Sequence, residues 1–177
     1  MHGLSLTIAV FVFVLFVCAI PLSFKRERVP ARMKALSLGA CITFAAYIWA
    51  AVRSSGSPQA DVVGSLIHLS AGWLFLSAIR SAGSAKLPIA FSQSAPSNVI
   101  DMGPYGRVRH PLYLSYSLYW LGCVIQTGSA TVGIGAALLI ATYVILASAE
   151  ERKLLSGDLQ FEYLAYRSRT GSFWPKI

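Results

Sequence analysis

The sequence predicts an all-α fold: a polytopic membrane protein with five transmembrane helices, a cytosolic C-terminal helix and a tail. Three observations support this. Of 177 residues, 55% are hydrophobic and only 12% charged, with a mean hydropathy of +0.60, a composition outside the soluble globular range. Five runs free of Asp, Glu, Lys and Arg approach the roughly 20 apolar residues that a helix needs to cross a bilayer. The basic residues fall between or after these runs, not within them.

The first run, residues 4–24, has no basic segment before it and is longer than the apolar part of a signal peptide, so it reads as an anchor. Residues 35–52 and 62–79 form the second and third spans. The fourth, 112–126, is short, and the fifth, 131–149, follows directly after Thr127, Gly128, Ser129 and Ala130, which makes the two a tight helical hairpin. The chain is then one domain, 1–177: three spans in 1–80, a cytosolic loop in 81–110, the hairpin in 111–149 and a cytosolic tail in 150–177. The loop is rich in Ser, Pro and Asn, and a loop of that length is expected to cover or line something. The fifth helix should run on past the membrane to Leu155 and stop at Gly157. Asp158 is the expected cap of one more helix, over about 159–168, whose Leu159, Tyr163 and Tyr166 share a face as in an interfacial or docking helix.

A formal charge of +8 invites a nucleic-acid reading, but the distribution opposes it. Lys25, Arg26, Arg28, Arg32 and Lys34 lie in the first loop; Arg80, Lys86, Arg107 and Arg109 in the third; Arg152, Lys153, Arg167, Arg169 and Lys176 in the tail; only Arg53 remains for the second. Positive charge gathers on the cytosolic side, which places loops one and three and the C-terminus inside and the N-terminus outside. Cys18, Cys41 and Cys123 have no paired spacing and read as small buried apolar side chains, with no metal site. His68, in the third span, reads as a neutral packing residue, and Gly133 and Gly135 as points of close helix approach.

The candidate chemistry lies at the mouth of the fourth span. Pro111 suits a first helical turn, whose free N–H groups and positive dipole end favour a carboxylate or phosphate, and Arg109 and His110 add to that preference. A basic interfacial anchor accounts for the same residues equally well. Tyr113, Tyr116 and Trp120 follow at helical spacing and present one aromatic face, suited to stacking a ring, surrounding a cation or packing a neighbouring helix. The hairpin brings Glu150 and Glu151, the one adjacent acidic pair, opposite this basic start. A zwitterion carrying an ammonium and a carboxylate fits between two such groups.

Gly-Pro-Tyr at 103–105, Arg-His-Pro at 109–111, Tyr113, the Glu150 and Glu151 pair, and the tail with Tyr163, Tyr166, Arg169 and Pro175 together resemble the isoprenylcysteine carboxyl methyltransferase family and its related phospholipid methyltransferases. The resemblance covers residues 103–177. It implies an S-adenosylmethionine-dependent methyltransferase whose cofactor is held by Tyr105, Arg109, His110, Pro111, Leu112, Tyr113, Glu150 and Glu151 at the cytosolic end of the last two spans. It also implies a lipid-like or hydrophobic small-molecule acceptor and, through the family's small prokaryotic members, a bacterial inner membrane. Two departures stand out. The Arg that serves the substrate carboxylate in prenylcysteine enzymes is replaced within Ala147, Ser148 and Ala149, and Ser156 to Leu159 replace the usual Phe-Gly. Arg169 is then the candidate for an anionic substrate group, and no residue is singled out as a catalytic base. The competing expectations are an NADPH-dependent membrane reductase of the sterol-reductase type and a non-catalytic membrane scaffold.

Overall fold

The computed structural model describes residues 2–23, 30–53, 57–83 and 99–176. Half of the third loop, the cations Lys25, Arg26, Arg28 and Lys86, and the end of the first run at Phe24 lie outside the described residues. Six α-helices and a 3-10 turn make up the rest: α1 (His2–Ser23), α2 (Ala31–Arg53), α3 (Pro58–Ala82), the turn (Gly103–Gly106), α4 (Pro111–Thr127), α5 (Ala130–Leu155) and α6 (Gln160–Arg169). Among the described residues there is no strand, only one parallel bridge between Val108 and Gly171.

Four helices, α1, α2, α3 and α5, are long and apolar enough to cross a membrane, so the protein is an integral membrane protein. At 17 residues α4 falls short of that length. It rises about 25 Å, against a hydrocarbon core of about 30 Å. Both of its ends are fixed by residue chemistry: Pro111 starts it, and Gly128, at φ 59°, turns the chain into the left-handed region that ends it.

The helices alternate in direction. At one end His2 Nδ1 lies 3.0 Å from Asp61, His2 Nε2 lies 2.6 Å from the Ala51 carbonyl oxygen, and Ser5 Oγ donates to Asp61, so one polar cluster fastens α1, α2 and α3. The other end gathers the close of α3, the start of α4 and the close of α5. Between them lies an aromatic core built from Phe16, Phe75, Tyr119, Trp120 and Tyr143. The α3–α4 seam is a close approach, because a Cβ at Gly64 would run into Gln126 Cγ and one at Gly122 would stand 2.7 Å from His68 Nε2. His68 is buried with Nε2 3.2 Å from the Tyr119 carbonyl oxygen, the packing role expected of it.

Three expectations need correction. Only Cys123 is buried; Cys18 and Cys41 lie on the outer faces of α1 and α2, because those helices pack through other stripes. Gly135 does meet a neighbour, Thr43, but Gly133 faces open space. Asp158 does not cap α6, whose N-cap is Leu159 without a side-chain hydrogen bond, since the helix begins at Gln160 and the chain between α5 and α6 is a turn.

Candidate functional site

Local sequence places each member of the site. Pro104 and the left-handed Gly103 shape the 3-10 turn, which packs on the end of α3 and carries the buried Tyr105. Val108 to His110 then lead through a bend at Arg109 into α4. Opposite them, α5 continues beyond its apolar run, and Glu150 and Glu151 project from that extension.

Glu151 is the hub. It accepts from Arg109 Nε at 3.0 Å and Nη2 at 3.3 Å and from Ser172 Oγ at 3.2 Å, and its Oε1 lies 3.0 Å from His110 Nε2. Arg167 stands 3.8 Å away. Burial pushes this carboxyl up, but the hydrogen bonds from His110 and Arg109 and the Arg109 charge outweigh it and leave Glu151 at about 2. It is a carboxylate at any physiological pH.

Glu150 is the looser of the two. The Tyr113 hydroxyl donates to it, and His110 Nδ1 lies 3.9 Å off, yet its side chain is 41% exposed against 12% for Glu151. The pair therefore divides into a saturated carboxylate and one with room for a further donor. The start of α4 is also open. His110 is the N-cap and no side chain caps the first turn, so the N–H groups there point into the same region. The expected basic and acidic halves are brought together, but Arg109 and His110 also bond Glu151 directly.

Aromatic rings line the approach. Tyr113 stacks on Tyr143 with centroids 5.8 Å apart, Tyr116 tilts against the same ring at 5.6 Å, and Trp120 Nε1 donates to the Tyr143 hydroxyl at 3.2 Å. The aromatic face expected on α4 is thus shared with α5. Tyr163, on α6, is buried, and its hydroxyl has no hydrogen-bond partner although Arg109 is its neighbour. Burial raises that phenol, so it is an idle donor beside the Glu151 cluster.

The tail closes the site from below. Arg109 N–H donates to the Gly171 carbonyl at 2.8 Å and His110 N–H to the Ser172 carbonyl at 3.2 Å, while Gly171 N–H returns to Arg107 at 3.3 Å. Arg109 Nη1 donates to the Thr170 carbonyl, and the Phe173 ring lies 5.8 Å from His110. Tyr166 donates to the Tyr105 carbonyl at 2.7 Å and so ties α6 to the 3-10 turn. Sequence reasoning missed Tyr143, Thr170, Ser172 and Phe173, which carry no motif of their own. Arg169 is exposed and ion-paired with Asp101, outside the Glu151 cluster. Pro111 is buried, and Leu112 sits beside it on the first turn of α4.

The family model described as phospholipid methyltransferase matches residues 60–158, from the start of α3 to just past α5. No curated protein matches the chain in a sequence search. The matched stretch exceeds half of the 177 residues and contains Arg109 to Tyr113 and both glutamates, and on that match the chain belongs to the phospholipid methyltransferase family.

Proposed function

We propose that the protein is an S-adenosylmethionine-dependent methyltransferase acting on a lipid-like or hydrophobic small-molecule acceptor, through a carboxyl, thiol or amine, at the cytosolic membrane face. The observation that carries this reading is the set of unspent polar groups around the ion pair: the partly exposed Glu150, the idle Tyr163 hydroxyl and the uncapped start of α4. A cofactor with an ammonium and a carboxylate suits these groups. Glu150 takes the ammonium, and the first-turn N–H groups of Leu112 and Tyr113 with His110 take the carboxylate. Glu151 holds Arg109 and His110 in place, Tyr105 and Pro111 fix the backbone that presents them, and Tyr113 and Tyr143 offer faces to a ring or a sulfonium. The bound cofactor would supply an electrophilic methyl group. The protein's task is then to align and desolvate the acceptor, which enters from the bilayer, and for a carboxylate or thiolate no general base is needed. Arg169, released from Asp101, is the residue to meet an anionic group on that acceptor.

The proposal includes five spans, with α4 as the short one, the N-terminus outside and the C-terminus in the cytosol of a bacterial cell. The strongly one-sided distribution of Lys and Arg supports it. Calorimetric titration of the purified protein with S-adenosylmethionine tests the site: Glu150→Gln and His110→Ala should each weaken binding about tenfold or more, the loss of one charge-assisted hydrogen bond. Binding by the wild type that neither change affects would sink the assignment. The direct closure of Arg109 and His110 on Glu151 favours a second reading, a scaffold that binds no cofactor. Thermal-shift titration with S-adenosylmethionine and with NADPH separates that reading, and the reductase reading, from the first.

A further inference from the structure

α6 has two apolar faces and the protein covers only one of them. Tyr163 and Tyr166 turn inward, while Phe161 and Leu164, three residues apart and on the opposite side of the helix, are 84% and 44% exposed. Lys176 Nζ donates to the Ser168 carbonyl at 2.7 Å, which folds the tail's end back onto α6, and Trp174 beside it is 78% exposed. None of these three large side chains belongs to a membrane-spanning helix.

The charge around them is one-sided. Among the described residues, ten of the eleven Lys and Arg lie at the end of the molecule that carries the site, all but Arg53, and five of the six acidic residues do, all but Asp61, so that end carries a formal charge of +5. Arg167, three residues past Leu164 on α6, and Arg152, on the extension of α5, are exposed. The position is also right. Glu150 to Leu155 carry the chain at most about 9 Å beyond the apolar run of α5, and the headgroup layer of each leaflet is roughly 5–7 Å thick.

We propose that the outer face of α6 and Trp174 lie in the headgroup layer of an anionic phospholipid bilayer, with Phe161 and Leu164 dipping below it and the surrounding cations on lipid phosphates. The contact concerns α6 and the tail, not the methyl-transfer chemistry, and it presses Tyr163, Tyr166 and the tail onto the site from outside.

Spin labels at Phe161→Cys, Leu164→Cys and Glu162→Cys, each in the full chain with Cys18 and Cys41 replaced by alanine, test this in nanodiscs of phosphatidylglycerol and phosphatidylcholine. The expected result is that labels at 161 and 164 collide more with oxygen than with a water-soluble nickel chelate, and that the label at 162 does the reverse. High salt or discs of phosphatidylcholine alone should shift 161 and 164 toward water. Water-like labels at both positions in anionic discs overturn the proposal. Labels shielded from both collision partners also overturn it and assign the face to a protein or a second copy. Hydrogen exchange of the unsubstituted chain gives an independent measure: residues 160–169 should exchange several-fold more slowly in anionic than in neutral discs, and equal rates overturn the proposal.

Discussion

Replacing Glu151 with glutamine removes the charge on which four groups converge, and its cost can be worked out in two ways. The carboxylate holds Arg109 through two hydrogen bonds at 3.0 and 3.3 Å, and His110 and Ser172 lie at 3.0 and 3.2 Å. Removing one partner of a buried pair costs roughly 3–5 kcal/mol. Arg109 and Glu151 keep 9% and 12% exposure, which favours the lower end. Independently, a carboxyl held at about 2 in place of 4.5 corresponds to roughly 3 kcal/mol in favour of the folded chain. For a chain of this size each kcal/mol moves Tm by roughly 2–4 °C, so Glu151→Gln should melt about 6–12 °C lower at pH 7.

The pH dependence has a definite sign. The folded value lies below the unfolded one, so the stabilisation is complete above about pH 4.5 and is lost as pH falls toward 2. Melting in detergent between pH 7 and pH 3, followed by far-UV circular dichroism, should therefore show the gap between wild type and Glu151→Gln narrowing in acid. A gap below 1 °C at pH 7, or one that stays constant across the range, would refute the reasoning about this ion pair.

Three further outcomes are expected. Tyr113→Phe deletes the hydroxyl that donates to Glu150 and should lower stability by about 1–2 kcal/mol, with a parallel drop in S-adenosylmethionine affinity by calorimetry. Gly122→Ala drives a Cβ to 2.7 Å from His68 Nε2, so the α3–α4 seam must open; a loss of about 1–3 kcal/mol is expected by thermal melting, and His68→Ala in the same chain should recover part of it. Arg169→Ala breaks only an exposed pair with Asp101 and should change stability by less than about 1 kcal/mol. With an anionic acceptor it should raise KM while leaving kcat nearly unchanged, measured by labelled methyl transfer.

The helices were legible where physics acts through composition. Uncharged runs marked α1, α2, α3 and α5, and Pro111 and Gly128 bracketed α4 through their backbone chemistry. The meeting of Arg109 and His110 with Glu150 and Glu151 was legible as well, because a short hairpin fixes which ends face each other. What stayed hidden depends on backbone or on shared packing. The bonds from Arg109 and His110 N–H to Gly171 and Ser172 use groups that every residue carries, so no side chain announces them. Tyr143 resembles any other residue of an apolar span until Tyr113, Tyr116 and Trp120 close around it. Asp158 offered a plausible cap, but the turn after α5 placed Leu159 at the helix start instead.

The bridge between Val108 and Gly171 also bears on how the protein is made. Residues 170–172 follow both hairpin helices in the chain, so until that last segment has folded back Arg109 lacks Thr170 as an acceptor and Glu151 lacks Ser172 as a donor. The polar centre is finished only when this segment closes on the start of α4 and the end of α5. The spans do not include the end of the tail, so damage to it should yield a protein that reaches the membrane, keeps its spanning helices and has no closed centre.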